Sequence, residues 1–146
     1  MIQVLKNIEF VNLKKHLENE YGNIIPYFHF AITNFHFNCK QRSPQLTIDI
    51  NYYNSEKKIS LIFNQFQYYL LSDEGYTPHF GNEGFSGFAF VSTSNESSFL
   101  DLLKKKGFDI QFDLRNKDPN DFFIFRVLAQ NYFVDIYTDQ FPKIIY

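Results

Sequence analysis

Apolar residues recur at the spacing of a helix face in two segments of the chain. In the first segment, steps of three and four residues separate Phe10, Leu13, Leu17 and Tyr21. This is the periodicity of one buried side of a helix, and Gly22 supplies a stop. In the second segment acidic residues come early, three lysines come late and Gly107 follows, which is the charge order that a helix dipole favours. The sequence therefore predicts helices over about 7–21 and 96–106.

Most of the remaining chain alternates apolar and polar residues, which is the period of a half-buried strand. Within residues 46–53, apolar and polar residues alternate from Leu46 to Tyr52, and 59–71 run back after a polar turn. We therefore expect 46–71 to form one long hairpin. Further strands are predicted at 2–5, 88–92, 108–114 and on both sides of Gln130 and Asn131.

The alternation of apolar and polar residues changes phase once, within residues 28–39. Phe28, Phe30 and Ile32 share one parity, whereas Phe35, Phe37 and Cys39 share the other. A β-bulge or a tight turn at Thr33–Asn34 would return both triplets to one face.

A chain of 146 residues has the length of one domain. Runs of strands interrupted by two helices predict an α+β fold. We expect a single domain over 1–146, with a mostly antiparallel twisted β-sheet of about seven to eight strands and two helices at 7–21 and 96–106.

The segment 72–87 contains four glycines and a proline, so it predicts a loop, and it is longer than most connections. Long ordered loops are often functional. Residues 59–103 contain no Lys or Arg, although the net charge of the chain is only -2. The loop therefore lies in a region of negative charge.

Several kinds of site are disfavoured by the sequence. The glycines at 81, 84 and 87 lead into a predicted strand and include Glu83, whereas phosphate loops precede helices. His29 and His36 lack further ligands at metal-binding spacing. The negative charge disfavours nucleic acid, and Cys39 is the only cysteine. We predict neither a metal nor another cofactor.

Acid–base catalysis has one candidate, His79, which has Asp73, Glu74 and Glu83 nearby in sequence. A carboxylate can orient an imidazole as a general base. No nucleophile is marked, because no G-x-S-x-G motif occurs. We therefore predict a binding protein without catalytic residues.

The aromatic and acidic loop itself predicts a protein-binding surface. Aromatic rings are favoured interface anchors, and carboxylates around them attract a basic partner. The predicted partner-binding residues are Asp73, Glu74, Tyr76, His79, Phe80, Glu83 and Phe85.

In its size, mild acidity and lack of catalytic motifs, the chain resembles the immunity proteins of bacterial polymorphic toxin systems, including contact-dependent inhibition. The resemblance implies a cytoplasmic antitoxin, a monomer or weak dimer, that binds and neutralises a cognate basic toxin domain such as a nuclease. A nucleic acid is not an expected partner, because of the negative charge around the loop. A membrane is not expected either, since no apolar run is long enough to span one.

A second interpretation is a small-ligand-binding domain with a cone-like or barrel-like sheet and weak enzymatic activity. The inward Phe and Tyr residues of 28–70 would then line a pocket. This interpretation predicts a cavity of several hundred Å³ that contains a polar group such as His29 or Asp49. The binding-protein interpretation predicts a filled core with the acidic residues outside it.

Overall fold

The structure is a computed structural model that describes residues 7–22, 29–39, 44–73, 86–88, 90–94 and 121–146. Its helix, α1, spans Ile8–Tyr21, and the Asn7 side chain accepts hydrogen bonds from the N–H groups of Glu9 and Phe10 at its start. Gly22 ends the helix with a φ of 91°, which is a conformation that favours glycine. The predicted helix at 7–21 is thus confirmed, and the one at 96–106 lies outside the described residues.

The described residues form nine strands in two antiparallel sheets. Their bounds are β1 Phe30–Asn38, β2 Gln45–Tyr52, β3 Lys58–Phe63, β4 Tyr68–Asp73, β5 Ser86–Phe88, β6 Val91–Ser94, β7 Phe123–Leu128, β8 Tyr132–Thr138 and β9 Lys143–Ile145. The first sheet, sheet A, has the order β1-β2-β3-β9, and the second, sheet B, has the order β4-β8-β7-β6-β5. The predicted α+β fold with antiparallel pairing is confirmed, with two sheets in place of one. The strands predicted at 2–5 and 108–114 lie outside the described residues.

The predicted slip in β1 is a register shift between Ile32 and Asn34 against β2. Before it, Ile32 lies opposite Ile50, and after it, Phe35 lies opposite Ile48. Because Ile48 and Ile50 belong to one face of β2, the shift returns the apolar side chains of both halves of β1 to that face. The bulge prediction is confirmed.

The predicted hairpin over 46–71 is correct only as far as Phe63. β2 pairs with β3, but the chain then leaves sheet A at Asn64 and enters sheet B at Tyr68. Two hydrogen bonds between this connection and sheet B stabilise the change from one sheet to the other. Thr138 Oγ1 donates to the Gln65 carbonyl at 2.7 Å, and the Gln67 N–H donates to the Tyr137 carbonyl at 2.8 Å. Residues 59–71 are therefore two strands in different sheets.

Contacts between aromatic rings show how the sheets cross. Phe30, at the start of β1, contacts Phe90 just before β6, whereas Phe35, in the second half of β1, contacts Tyr69 of β4. Because β7 and β8 separate β6 from β4 in sheet B, β1 must run across the strands of that sheet. This is the geometry of crossed sheet packing.

One hydrophobic cluster fills the space between the sheets and under α1. It includes fully buried side chains of all three layers: Leu13, Leu17, Phe30, Ile48, Leu61, Phe90, Phe125 and Ile136. The rings of Phe63 and Phe125 contact each other across the sheets at 5.3 Å. At opposite ends of α1, Phe10 contacts Phe141 and Tyr21 stacks on Tyr52. Among the described residues, no helix is long and apolar enough to cross a membrane.

Candidate functional site

Sheet B exposes a row of apolar side chains at its β4 edge. Tyr69 and Leu71 of β4 and Tyr132 of β8 lie there with exposed fractions of 43, 41 and 40%, and Phe37 of β1 in sheet A, which is 43% exposed, adjoins them through Tyr69. Asp73, also exposed, lies opposite Tyr132. We call these five residues the β4 surface.

The register of β4 and β8 places these side chains on one face. Tyr69 and Leu71 lie opposite Ile136 and Val134, which are buried in the core between the sheets. Since alternate strand residues share a face, Asp73 and Tyr132 project to the same side. The β4 surface is therefore an extension of the core-facing side of sheet B to its edge.

Sheet A supplies the remaining wall of the surface. The ring of Tyr69 contacts the rings of Phe35 and Phe37 on β1 and of Phe66, with centroid distances of 5.3, 6.4 and 6.1 Å. These three contacts hold the core-facing side of the Tyr69 ring in a fixed position. The exposed rings of Tyr69 and Phe37 are consequently held in place by packing, as binding anchors need to be.

The charged side chain that β4 contributes to the β4 surface is a carboxylate. β1, β4 and β8, the three strands that build it, contain no Lys or Arg. Asp73 contributes a carboxylate at the end of β4. The surface therefore combines exposed rings with negative charge.

Of the predicted partner-binding residues, the structure places Asp73 on this surface. The other six, Glu74, Tyr76, His79, Phe80, Glu83 and Phe85, lie outside the described residues. Sequence reasoning missed Phe37, Tyr69, Leu71 and Tyr132. The sequence did contain one indication of these residues. Residues 68–71 are all apolar and do not alternate with polar residues, and a strand with this pattern has apolar side chains on both faces.

The two histidines of the repeated FHF motif lie apart. His29 borders Tyr52, whose hydroxyl is 3.4 Å from His29 Nδ1. His36 is exposed on the opposite face of sheet A, where it pairs with Thr47. Within the described part of the chain, no group of three His, Cys, Asp or Glu side chains is arranged to hold a metal ion.

Asp49 is the centre of a polar network on the outer face of sheet A. Its carboxylate accepts hydrogen bonds from Ser60 Oγ at 2.6 Å and Asn34 Nδ2 at 3.2 Å, and Lys58 Nζ lies 3.6 Å away. These partners satisfy the buried carboxylate, as a structural role requires. The Ser60 hydroxyl donates to a carboxylate without an intervening base, so the pair does not form a catalytic triad.

A cleft of about 260 Å³ lies between α1 and β9 and is lined by Glu9, Asn12, Ile144, Ile145 and Tyr146. Its volume lies just below the usual range for ligand pockets, about 300–1,000 Å³. Neither His29 nor Asp49 lines it, although the small-ligand interpretation placed one of them in its pocket. This cleft is therefore not the predicted aromatic pocket.

No protein-family model, curated protein or solved structure matches the chain.

Proposed function

We propose that this protein is an immunity protein that binds and neutralises a basic toxin domain through the β4 surface and the acidic segment that follows it. The observation that carries the proposal is the β4 surface itself. Four large apolar side chains that are 40–43% exposed adjoin Asp73, in strands without a basic residue. Exposed apolar patches with polar neighbours are typical of interaction sites.

The chemistry of the surface suggests the charge of the partner. Tyr and Phe rings bury a large area at small entropic cost, and they anchor many interfaces. A carboxylate beside such anchors favours a cationic partner. Glu74, Tyr76, His79, Phe80, Glu83 and Phe85 directly continue β4 in the sequence, and we include them in the proposed interface. A toxin such as a nuclease, whose active site binds a polyanion, has the complementary positive charge.

The packing of the core favours a binding surface over an internal ligand pocket. The Phe30 and Phe90 rings are 4.4 Å apart between centroids, and Leu46, Ile48 and Ile50 are fully buried. Around these described residues, side chains therefore occupy the space that an aromatic-lined pocket would need.

The test begins with the product of the gene directly upstream, because immunity genes follow their toxin genes. We expect this product to bind the protein one to one and to lose its toxicity in the complex. Asp73→Lys combined with Glu83→Lys should weaken binding by ~2 kcal/mol or more, about thirtyfold in Kd.

A second variant isolates the apolar part of the surface. Tyr69→Ala combined with Leu71→Ala should weaken binding at least tenfold, because interface anchors commonly contribute this much. Tyr53→Ala is the matched control, since Tyr53 is a 61% exposed ring in the turn between β2 and β3. Unchanged neutralisation by both multiple variants would contradict the proposal.

A further inference from the structure

The cleft between α1 and β9 has a polar wall and an apolar wall. Glu9 and Asn12 of α1 form the polar wall, whereas Ile144, Ile145 and Tyr146 form the apolar one. Ile144 is half-buried and packs against the core. The apolar wall is therefore anchored to the folded body of the protein.

A ring stack joins the two walls. Glu9, Asn12 and His16 are separated by three and four residues, so they lie along one face of α1. The His16 ring stacks on the Tyr146 ring, with a centroid distance of 4.1 Å and an interplanar angle of 22°. Because Tyr146 also lines the cleft, this stack connects the helix directly to the apolar wall.

The polar wall favours a cation over an anion. Within the described part of the chain, the side chains of Glu9 and Asn12 have no hydrogen-bond or ion-pair partner. The N–H groups of Glu9 and Phe10 at the start of α1 donate to Asn7 Oδ1 at 2.9 and 3.3 Å. An anion would therefore meet the Glu9 carboxylate instead of these N–H groups, whereas a cation would be attracted to that carboxylate.

We propose that the cleft binds a small primary amine in its protonated form. The ammonium group lies at Glu9, and the apolar part of the ligand lies against Ile144, Ile145 and Tyr146. An alkylammonium has three hydrogen-bond donors, and the Glu9 carboxylate and the Asn12 side-chain carbonyl are both acceptors. Ligand sites commonly combine apolar walls with a few polar groups that orient the ligand, and a charge-assisted hydrogen bond is stronger than a neutral one.

The volume of the cleft limits the size of the ligand. The cleft measures about 260 Å³. If each non-hydrogen atom takes the liquid volume of one water, roughly 30 Å³, the ligand has about nine such atoms. Phenethylamine has this size and chemistry, and we expect it to bind with a dissociation constant of about 1 mM. The amine site does not depend on the proposed function, since none of its residues belongs to the β4 surface.

The first experiment uses the unsubstituted full chain and compares three ligands of similar shape. Phenethylamine is titrated at neutral pH while the amide resonances are followed by NMR, and we expect saturable shifts in the first turns of α1 and in β9. Phenethyl alcohol, which is neutral, and phenylacetate, which is an anion, should each bind at least about fivefold more weakly. No saturable shift in these segments up to about 10 mM phenethylamine, or equal binding of all three ligands, overturns the proposal.

The second experiment tests the carboxylate. Glu9→Gln keeps the shape of an exposed side chain and removes its charge, so it should weaken phenethylamine binding at least about fivefold and leave phenethyl alcohol binding unchanged. Glu18→Gln is the matched control, because it makes the same charge change on the same helix outside the cleft. Unchanged phenethylamine binding by Glu9→Gln, or equal weakening by both variants, overturns the proposal.

The third experiment tests the apolar wall. Tyr146→Ala removes the ring that lines the cleft, so it should weaken phenethylamine and phenethyl alcohol alike, by at least about threefold. Tyr53→Ala, at a 61% exposed ring outside the cleft, is the control and should bind both ligands as the unsubstituted protein does. Unchanged binding by Tyr146→Ala would contradict the proposed site.

Discussion

Arg126 and Asp135 lie opposite each other on β7 and β8 and form a forked ion pair inside the protein. Arg126 Nε donates to Oδ1 at 2.7 Å and Nη2 donates to Oδ2 at 2.8 Å, with side-chain exposures of 1% and 3%. A paired and hydrogen-bonded arrangement of this kind is what permits charges to be buried.

Removing the carboxylate should strongly destabilise the protein. Asp135→Ala removes the carboxylate that pairs with the buried guanidinium, so we expect the free energy of unfolding to fall by about 3–5 kcal/mol. Urea denaturation followed by circular dichroism measures it. Asp121→Ala, at an exposed aspartate, is the control and should change stability by less than about 0.5 kcal/mol.

Replacing both partners tests whether the loss comes from breaking the ion pair. Arg126→Met combined with Asp135→Leu removes both charges and keeps similar volumes. The double variant should be more stable than Asp135→Ala by about 2 kcal/mol or more. A double variant as unstable as the single one would mean that packing, and not the broken ion pair, causes the loss.

Two hydrogen bonds between the Asn131 side-chain amide and the Ile32 backbone of β1 should contribute measurably to stability. Asn131→Ala removes both hydrogen bonds to the Ile32 backbone, and we expect a loss of about 1–3 kcal/mol. The matched control is Gln130→Ala, because residue 130 contacts β1 through its backbone N–H, which alanine retains. Equal stability of the two variants would contradict a structural role for the Asn131 amide. The Asn131 variant should also aggregate more readily, since it uncovers a sheet edge.

Gly87 on β5 should not tolerate a side chain. A Cβ there would lie 2.5 Å from Ser92 Cα and would also overlap the Val91 carbonyl oxygen. These are backbone atoms of β6, so the strand itself must move, and we expect Gly87→Ala to cost about 1–3 kcal/mol. Adding Ser92→Gly should not restore stability, because it leaves both backbone atoms in place. Full rescue in urea denaturation would show that the Ser92 side chain is the obstacle.

Alkaline pH should destabilise the fold through two tyrosines. Burial raises the pKa of Tyr137 well above its ordinary value, and burial is also the main cause of the raised pKa of Tyr21. A pKa that is higher in the folded state stabilises the fold below the unfolded pKa, about 10, and this stabilisation is lost as pH rises above that value.

The measurement is the urea midpoint at pH values on both sides of about 10. Tyr137→Phe should show a smaller fall in stability between these pH values than the unsubstituted protein, because one buried phenol is absent. Tyr53→Phe, at an exposed position, serves as the control and should follow the unsubstituted protein. The same pH dependence in all three proteins would contradict the role of Tyr137.

The parts of the fold that follow from local periodicity were predictable from the sequence. The stripe of Phe10, Leu13 and Leu17 predicted α1, and the change of parity at Thr33–Asn34 predicted the bulge in β1. Both depend on side chains a few residues apart.

The change of sheet between Phe63 and Tyr68 was not predictable in the same way. The alternation of apolar and polar residues indicates which face of a strand a side chain occupies, but it does not indicate which sheet the strand joins. Thr138 and Tyr137 bond to Gln65 and Gln67, which are 73 and 70 residues away along the chain, and these hydrogen bonds direct β4 into sheet B. The β4 surface was missed for this reason, because residues 68–71 were predicted as the end of one long hairpin over 46–71.

The order of sheet A has a consequence for the way the protein is made. Its first three strands follow one another along the chain, but its fourth, β9, comes from residues 143–145. On the ribosome, the β1–β3 meander can therefore form early, while the edge of β3 that pairs with β9 stays unpaired until β9 has been synthesised. Contacts between such distant segments slow folding, so the nascent chain should depend most on chaperones in the interval before this last strand is added.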